Sequence, residues 1–193
     1  MTKYKDIHGF QIEVRSDNPS NPANGQVWYN TTTSKLRGNA KTTVGAFSTG
    51  GNMNQGRSDL CSFGTQTSAL VAGGGPADNP DEGVRTELYN GSSWTEVNNM
   101  NTGKASPRGL GAVNSAGFCI GGYGLEATGY ALYALVESWN GTSWTETTDM
   151  NEVRNQGTGA GTVTSGLAFG GAQATAPTAK TEVWNGSGWT EVG

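Results

Sequence analysis

Apolar positions along the chain fall in short runs, and three of these runs end in the same way. Leu70-Val71-Ala72, Phe118-Cys119-Ile120 and Leu167-Ala168-Phe169 are each followed at once by a glycine doublet, Gly73-Gly74, Gly121-Gly122 and Gly170-Gly171. Downstream of each comes one alternating phrase. It reads Glu87-Leu88-Tyr89-Asn90-Gly91-Ser92-Ser93-Trp94-Thr95-Glu96, then Glu137-Ser138-Trp139-Asn140-Gly141-Thr142-Ser143-Trp144-Thr145-Glu146, then Glu182-Val183-Trp184-Asn185-Gly186-Ser187-Gly188-Trp189-Thr190-Glu191. A third marker, Met-Asn-x-x-Arg or Lys, opens each unit at 53–57, 100–104 and 150–154. Self-similarity at 20–50 residues is the mark of a repeat architecture. The units run 53–99, 100–149 and 150–193.

Each unit reads as strands. Asn-Gly between aromatic and β-branched arms is the strongest short hairpin signal and predicts a type I′ turn, with positive φ at both central residues. The apolar run is a short buried strand, and the doublet after it permits close approach of backbone to backbone. The stretch 158–164 supplies a further strand. About four short strands per 45–50 residues is the content of one propeller blade. Upstream, Ile12-Glu13-Val14 and Gln26-Val27-Trp28-Tyr29 predict two strands around the polar loop 16–25. Lys35-Leu36-Arg37 is a candidate third, and 38–44 a linker.

At these residues the chain resembles known families. A glycine doublet, then a Tyr or Trp, then a Trp five positions on is similar to a degenerate kelch repeat. The strings Leu-Ala-Phe-Gly-Gly and Glu-Ser-Trp-Asn-Gly-Thr-Ser-Trp-Thr-Glu resemble kelch-like arrays in structural and fibre proteins of tailed bacteriophages, over residues 47–193. Residues 21–36 (Asn21-Pro22, Gly25, Trp28-Tyr29-Asn30-Thr31-Thr32, Leu36) resemble a short module near the amino termini of phage fibre and virion-appendage proteins. The resemblance implies an all-β chain with a small N-terminal β-hairpin module at 1–46, carrying Trp28 and Tyr29 as attachment residues, before a kelch-like region at 47–193. It implies a non-enzymatic virion protein, assembled in the host cytoplasm and carried on the particle surface as a fibre or a capsid or tail appendage. The alternative for Trp28 and Tyr29 is that they anchor the hairpin itself.

Three repeats leave a closure problem, since propellers have typically 4–8 blades. Either a partial propeller is completed by oligomerisation, with two chains supplying six blades, or the repeats close as a three-fold β-prism or a β-trefoil. Exposed end strands favour pairing with other chains, so a homo-oligomer is expected. Phe47 aligns with the Trp of the repeats, which suggests that the first strand of the array comes from the amino-terminal side.

Composition narrows the chemistry. With 31 Gly and 6 Pro among 193 residues, turn-formers are far above the usual share of about 12%. Charged residues are 15% and the net charge is −4, so the basic face that nucleic-acid binding needs is missing. No run approaches the roughly 20 apolar residues of a membrane helix, and Met1-Thr2-Lys3-Tyr4 opens no signal peptide, so neither membrane insertion nor Sec export is expected. Cys61 and Cys119 are the only cysteines and His8 the only histidine. That argues against a disulfide framework, a four-cysteine zinc site and paired-His catalysis. No nucleophile, base and orienting group come together, so no enzyme and no cofactor is expected.

Binding residues are sought in the segments between doublet and hairpin, which vary while the frame repeats. The first is acidic, with Asp78, Asp81 and Glu82 as oxygen donors or a solvated turn. The second is aromatic, with Tyr123, Glu126, Tyr130 and Tyr133 offering stiff amphipathic area to another subunit, a host surface protein or a flat glycan face. Arg57, Lys104 and Arg154 recur with Glu87, Glu137 and Glu182, as expected either of a shared face or of structural salt bridges.

Overall fold

The structure is a computed structural model that describes residues 12–23, 25–39, 50–75, 83–126 and 129–193. The chain divides into two compact units, residues 1–48 and 49–193. The described regular structure is β throughout.

In the first unit β1 (Glu13–Arg15), β2 (Val27–Asn30) and β3 (Lys35–Gly38) form one sheet in that order. The hairpin lies between β2 and β3, with Tyr29 opposite Leu36. β1 runs parallel to β2, with Val14 opposite Tyr29, so the polar loop 16–25 is a crossover and not a hairpin loop. Its length permits this, because parallel neighbours need a connection of roughly a dozen residues.

In the second unit every repeat makes a four-stranded antiparallel sheet of its own. The first sheet is β4 (Cys61–Thr65), β5 (Ser68–Ala72), β6 (Thr86–Tyr89) and β7 (Trp94–Val97), in sequential order. The second is β8 (Arg108–Val113), β9 (Ala116–Ile120), β12 (Val136–Trp139) and β13 (Trp144–Glu146). Between β9 and β12 it carries an extra hairpin, β10 (Tyr123–Glu126) with β11 (Gly129–Leu132). The third is β14 (Thr158–Thr162), β15 (Ser165–Phe169), β16 (Thr181–Trp184) and β17 (Trp189–Val192). Such a set of sheets is compatible with a β-propeller-like arrangement. The four described strands of each sheet come from within its own repeat; Phe47, and with it the strand expected from the amino-terminal side, lies outside the described residues.

The sheets pack face on face, and two apolar clusters fill the junctions. Cys61, Phe63, Leu70 and Ala72 from the forward face of the first sheet meet Cys119, Trp139 and Trp144 from the rear face of the second. Leu110, Phe118, Ile120 and Val136 from the second sheet's forward face meet Ala168, Trp184 and Trp189 of the third. Each large side chain buried there contributes about 1.5–3 kcal/mol. The first strands β4, β8 and β14 lie side by side, and glycine sets their spacing. A Cβ at Gly109 would stand 2.3 Å from the Ser62 carbonyl oxygen, and one at Gly159 2.7 Å from that of Gly109.

Two local readings of the sequence meet different fates. The doublets do bring backbones together: a Cβ at Gly74 would lie 2.3 Å from the Ser58 carbonyl, and one at Gly122 or Gly171 2.7 Å from those of Ala105 or Asn155. The Asn-Gly hairpins are not type I′, because positive φ occurs at Gly91, Gly141 and Gly186 but not at the asparagines before them. The loop holds four residues, closed by the Tyr89–Trp94 pair and its counterparts. Asn90 Oδ1 accepts the backbone N–H groups of Ser92 and Ser93 at 3.0 and 2.9 Å, an Asx-type turn that needs no left-handed asparagine.

Candidate functional site

The repeated charged residues form a buried frame inside each sheet. In the first, Arg57 Nη2 donates to Glu87 Oε1 at 2.6 Å, while the backbone N–H and Nδ2 of Asn54 donate to Oε2 at 2.8 and 2.9 Å. The third repeats this with Arg154 on Glu182 at 2.7 Å and Asn151 on Oε2 at 2.6 and 2.8 Å. In the second, Asn101 binds Glu137 Oε2 at 2.8 and 2.9 Å, and Lys104 Nζ lies 3.3 Å from Oε1 as an ion pair without hydrogen-bond geometry. Both arginines also reach main chain, Arg57 Nη1 to the Arg85 and Gly73 carbonyls and Arg154 Nη1 to those of Lys180 and Gly170. Burial by itself would raise the Glu87 carboxyl, but the Asn54 and Arg57 hydrogen bonds outweigh it and hold its pKa below the usual carboxylate range. Buried and partnered on both oxygens, this carboxylate faces its own sheet and not a substrate. These pairs fasten the 53–57, 100–104 and 150–154 segments to the hairpins, as salt bridges, and do not form an open cationic face.

The asparagines are the members of this frame that sequence reading missed. Their signal was there, since Met-Asn opens every unit, but a polar residue beside a buried methionine reads as an ordinary turn.

Two of the tyrosines meet on the inserted hairpin. Tyr123 and Tyr130 pair edge to face, with ring centroids 6.0 Å apart and planes at 77°, and Tyr130 is 65% exposed. Tyr133 lies over the same hairpin, because a Cβ on Gly124 would fall 2.4 Å from its hydroxyl oxygen. Tyr123 also bridges Ala105 through reciprocal backbone hydrogen bonds of 2.8 and 2.9 Å, which ties the hairpin to the loop before β8. Glu126 belongs to β10, but its side chain lies outside the described residues, as do Asp78, Asp81 and Glu82 altogether.

In the amino-terminal unit Trp28 and Tyr29 part company, as neighbours on a strand do. Trp28 is buried, and its Nε1 donates at 3.2 Å to Asn18 Oδ1, which also receives Asn30 Nδ2 at 3.0 Å. Tyr29 is on the open side, in register with exposed Val14 and Leu36.

A shallow dip between the second and third sheets, lined by Ser106, Arg108, Gln156 and Thr158, encloses essentially no volume. That is below the roughly 300 Å³ of the smallest usual ligand pockets. Among the described residues no group of three or more His, Cys, Asp or Glu is placed to hold a metal ion, and no helix is long and apolar enough to cross a membrane. Cys61 and Cys119 are both buried and free, and burial pushes the Cys61 thiol up, away from the reactive thiolate.

The fold recurs among solved proteins. The chain is similar to the protein in "Structure of YjhT". The two share 12% sequence identity at a TM-score of 0.56, over 86% of this chain and 51% of the YjhT chain. At that identity YjhT speaks for the all-β fold alone, and this chain spans about half of its length. No family model and no curated protein matches the sequence.

Proposed function

We propose that the chain is a non-enzymatic structural protein of a bacteriophage particle, an oligomeric fibre or a capsid or tail appendage whose three sheets are kelch-like propeller blades. The observation that carries this reading is the threefold use of charge for fastening. Every repeat uses its paired buried carboxylate and cation to hold its own sheet together. The alternating string that resembles phage fibre arrays supplies the carboxylate of this frame, Glu137, with Glu87 and Glu182 at the same place in the other repeats. The amino-terminal module is the part that joins other virion proteins, through the Val14, Tyr29 and Leu36 face, with Trp28 holding its interior. The β10–β11 hairpin, with Tyr130 outward, is the element presented to a host surface protein or glycan.

A free protein- or glycan-binding module of kelch type is the second reading, favoured by the same exposed tyrosine. Particle association separates them. An antibody raised against the purified chain is expected to detect it in density-purified phage particles at fixed stoichiometry. A chain that stays in the soluble fraction of the infected lysate would overturn the virion reading in favour of the free module.

A further inference from the structure

The two end faces of the sheet series fit each other. At both internal junctions a large forward-face residue covers a rear-face glycine: the Phe63 ring would lie 2.4 Å from a Cβ on Gly117, and Leu110 3.4 Å from one on Gly166. At both, a rear-face tryptophan enters the preceding sheet, and at the first Trp144 Nε1 donates to Thr86 Oγ1 at 2.9 Å.

The outer faces carry the matching parts. On the forward face of the third sheet Leu167 and Phe169 are 40% and 38% exposed, whereas their counterparts Leu70 and Ala72 are at 0% and Phe118 and Ile120 at 3%. Thr181 stands there at the position of Thr86, each directly before the buried Glu. On the rear face of the first sheet Trp94 occupies the position of Trp144 and Trp189, 4.9 Å from Tyr89 in the same tilted cross-strand pair that they make. Side-chain size is exchanged as well. Where the internal junctions set Phe63 on Gly117 and Leu110 on Gly166, the end faces offer Ala160 and Ala69.

We infer that a second copy of this chain docks head to tail, the forward face of one copy's third sheet covering the rear face of the other's first sheet. Trp94 Nε1 then exchanges its present partner, the Gly51 carbonyl at 3.1 Å, for Thr181 Oγ1 of the partner subunit. Two copies make this junction twice about a twofold axis and close a ring of six sheets. The inference rests on the propeller reading above and names the partner which that reading requires. One residue makes the intermolecular junction looser than the internal ones. Ser62 carries a Cβ where Gly109 and Gly159 carry none, so the first strands stand further apart there and assembly depends on concentration.

The test is the mass of the full chain by light scattering and sedimentation equilibrium over a range of concentrations. A dimer of twice 20.0 kDa is expected. Phe169→Glu, on a face already open in the single chain, is expected to abolish it with the denaturation midpoint of the monomer kept. Thr181→Val is expected to raise the dimer dissociation constant several-fold, and Ser62→Gly to lower it. A monomer at every concentration, or a trimer, overturns the inference. So does a dimer indifferent to all three substitutions, since the copies then join elsewhere. A dimer that responds as stated yet is absent from phage particles upholds the junction and removes the virion reading alone.

Discussion

Replacing Thr86 by Val isolates one polar contact in an apolar junction. The two side chains have nearly the same shape, and Thr86 is fully buried, so the change opens no cavity. What it removes is the hydroxyl that accepts Trp144 Nε1–H at 2.9 Å, and the indole is left buried with its donor unpaired. Such a loss costs about 1–3 kcal/mol. The molecule contains its own control, because the second junction has Val136 where the first has Thr86, and Trp189 Nε1 there is buried without a partner. Val136→Thr therefore puts an acceptor where one is lacking and is expected to stabilise by about 0.5–1 kcal/mol, the usual net value of a hydrogen bond. Urea unfolding followed by tryptophan fluorescence reads both. With a slope of about 2 kcal/mol per M, Thr86→Val should lower the midpoint by about 0.5–1.5 M and Val136→Thr should raise it by a few tenths. The substitutions sit at different junctions and should add in the double variant. The reasoning fails if Thr86→Val unfolds at the parent midpoint, or if Val136→Thr lowers it.

Lys104→Arg is expected to raise the melting temperature by a few degrees, for about 1 kcal/mol. A guanidinium there can donate to the Gly121 and Leu135 carbonyls as Arg57 and Arg154 do to their counterparts, whereas Lys104 Nζ makes only the 3.3 Å ion pair; a lower melting temperature in scanning calorimetry would refute this. Acidification should destabilise the chain. Glu87, buried yet held ionised by Asn54 and Arg57, and Glu152, held ionised by Lys180, both have folded-state pKa values below the unfolded one. Their contribution is complete above the ordinary carboxylate range and is lost as pH falls through the folded values, so the native state should release protons relative to the unfolded state in that window. Urea midpoints that are flat or rising from pH 6 to pH 3 would contradict the assignment.

What was legible in the sequence was whatever recurs within one repeat. Glu87, Glu137 and Glu182 each stand three residues before the Asn of an Asn-Gly turn, in units that each open with one cation, and a charge placed three times within an apolar pattern points to a salt bridge inside the unit or to a shared face; the structure shows the salt bridge. The strands followed for the same reason. Less legible was anything set by stacking one unit on the next. Nothing in the string Val-Arg-Thr-Glu marks Thr86 as the acceptor for a tryptophan 58 residues on, because that contact depends on which face of which sheet is covered. The turn type was misread because Asn-Gly has two solutions, and the four-residue loop with an Asx cap won where the serine and threonine N–H groups could reach Asn Oδ1. The parallel β1–β2 pair was hidden by a long loop that serves a hairpin or a crossover equally well.

The same division explains the end faces. A sheet that capped the array would carry a polar forward face, as a one-dimensional array requires for solubility. Here Leu167, Phe169, Val183 and Val192 share that sheet with Thr181, and they repeat the character of a junction and not that of a cap. A single sequence cannot distinguish an interface from a core, because both are written in the same apolar residues at the same spacing. The exposures do, since side chains at 0–3% in two sheets stand near 40% in the third. A face of that character is built to be covered, and the threonine, tryptophan and paired alanines match the forward face of the third sheet to the rear face of the first.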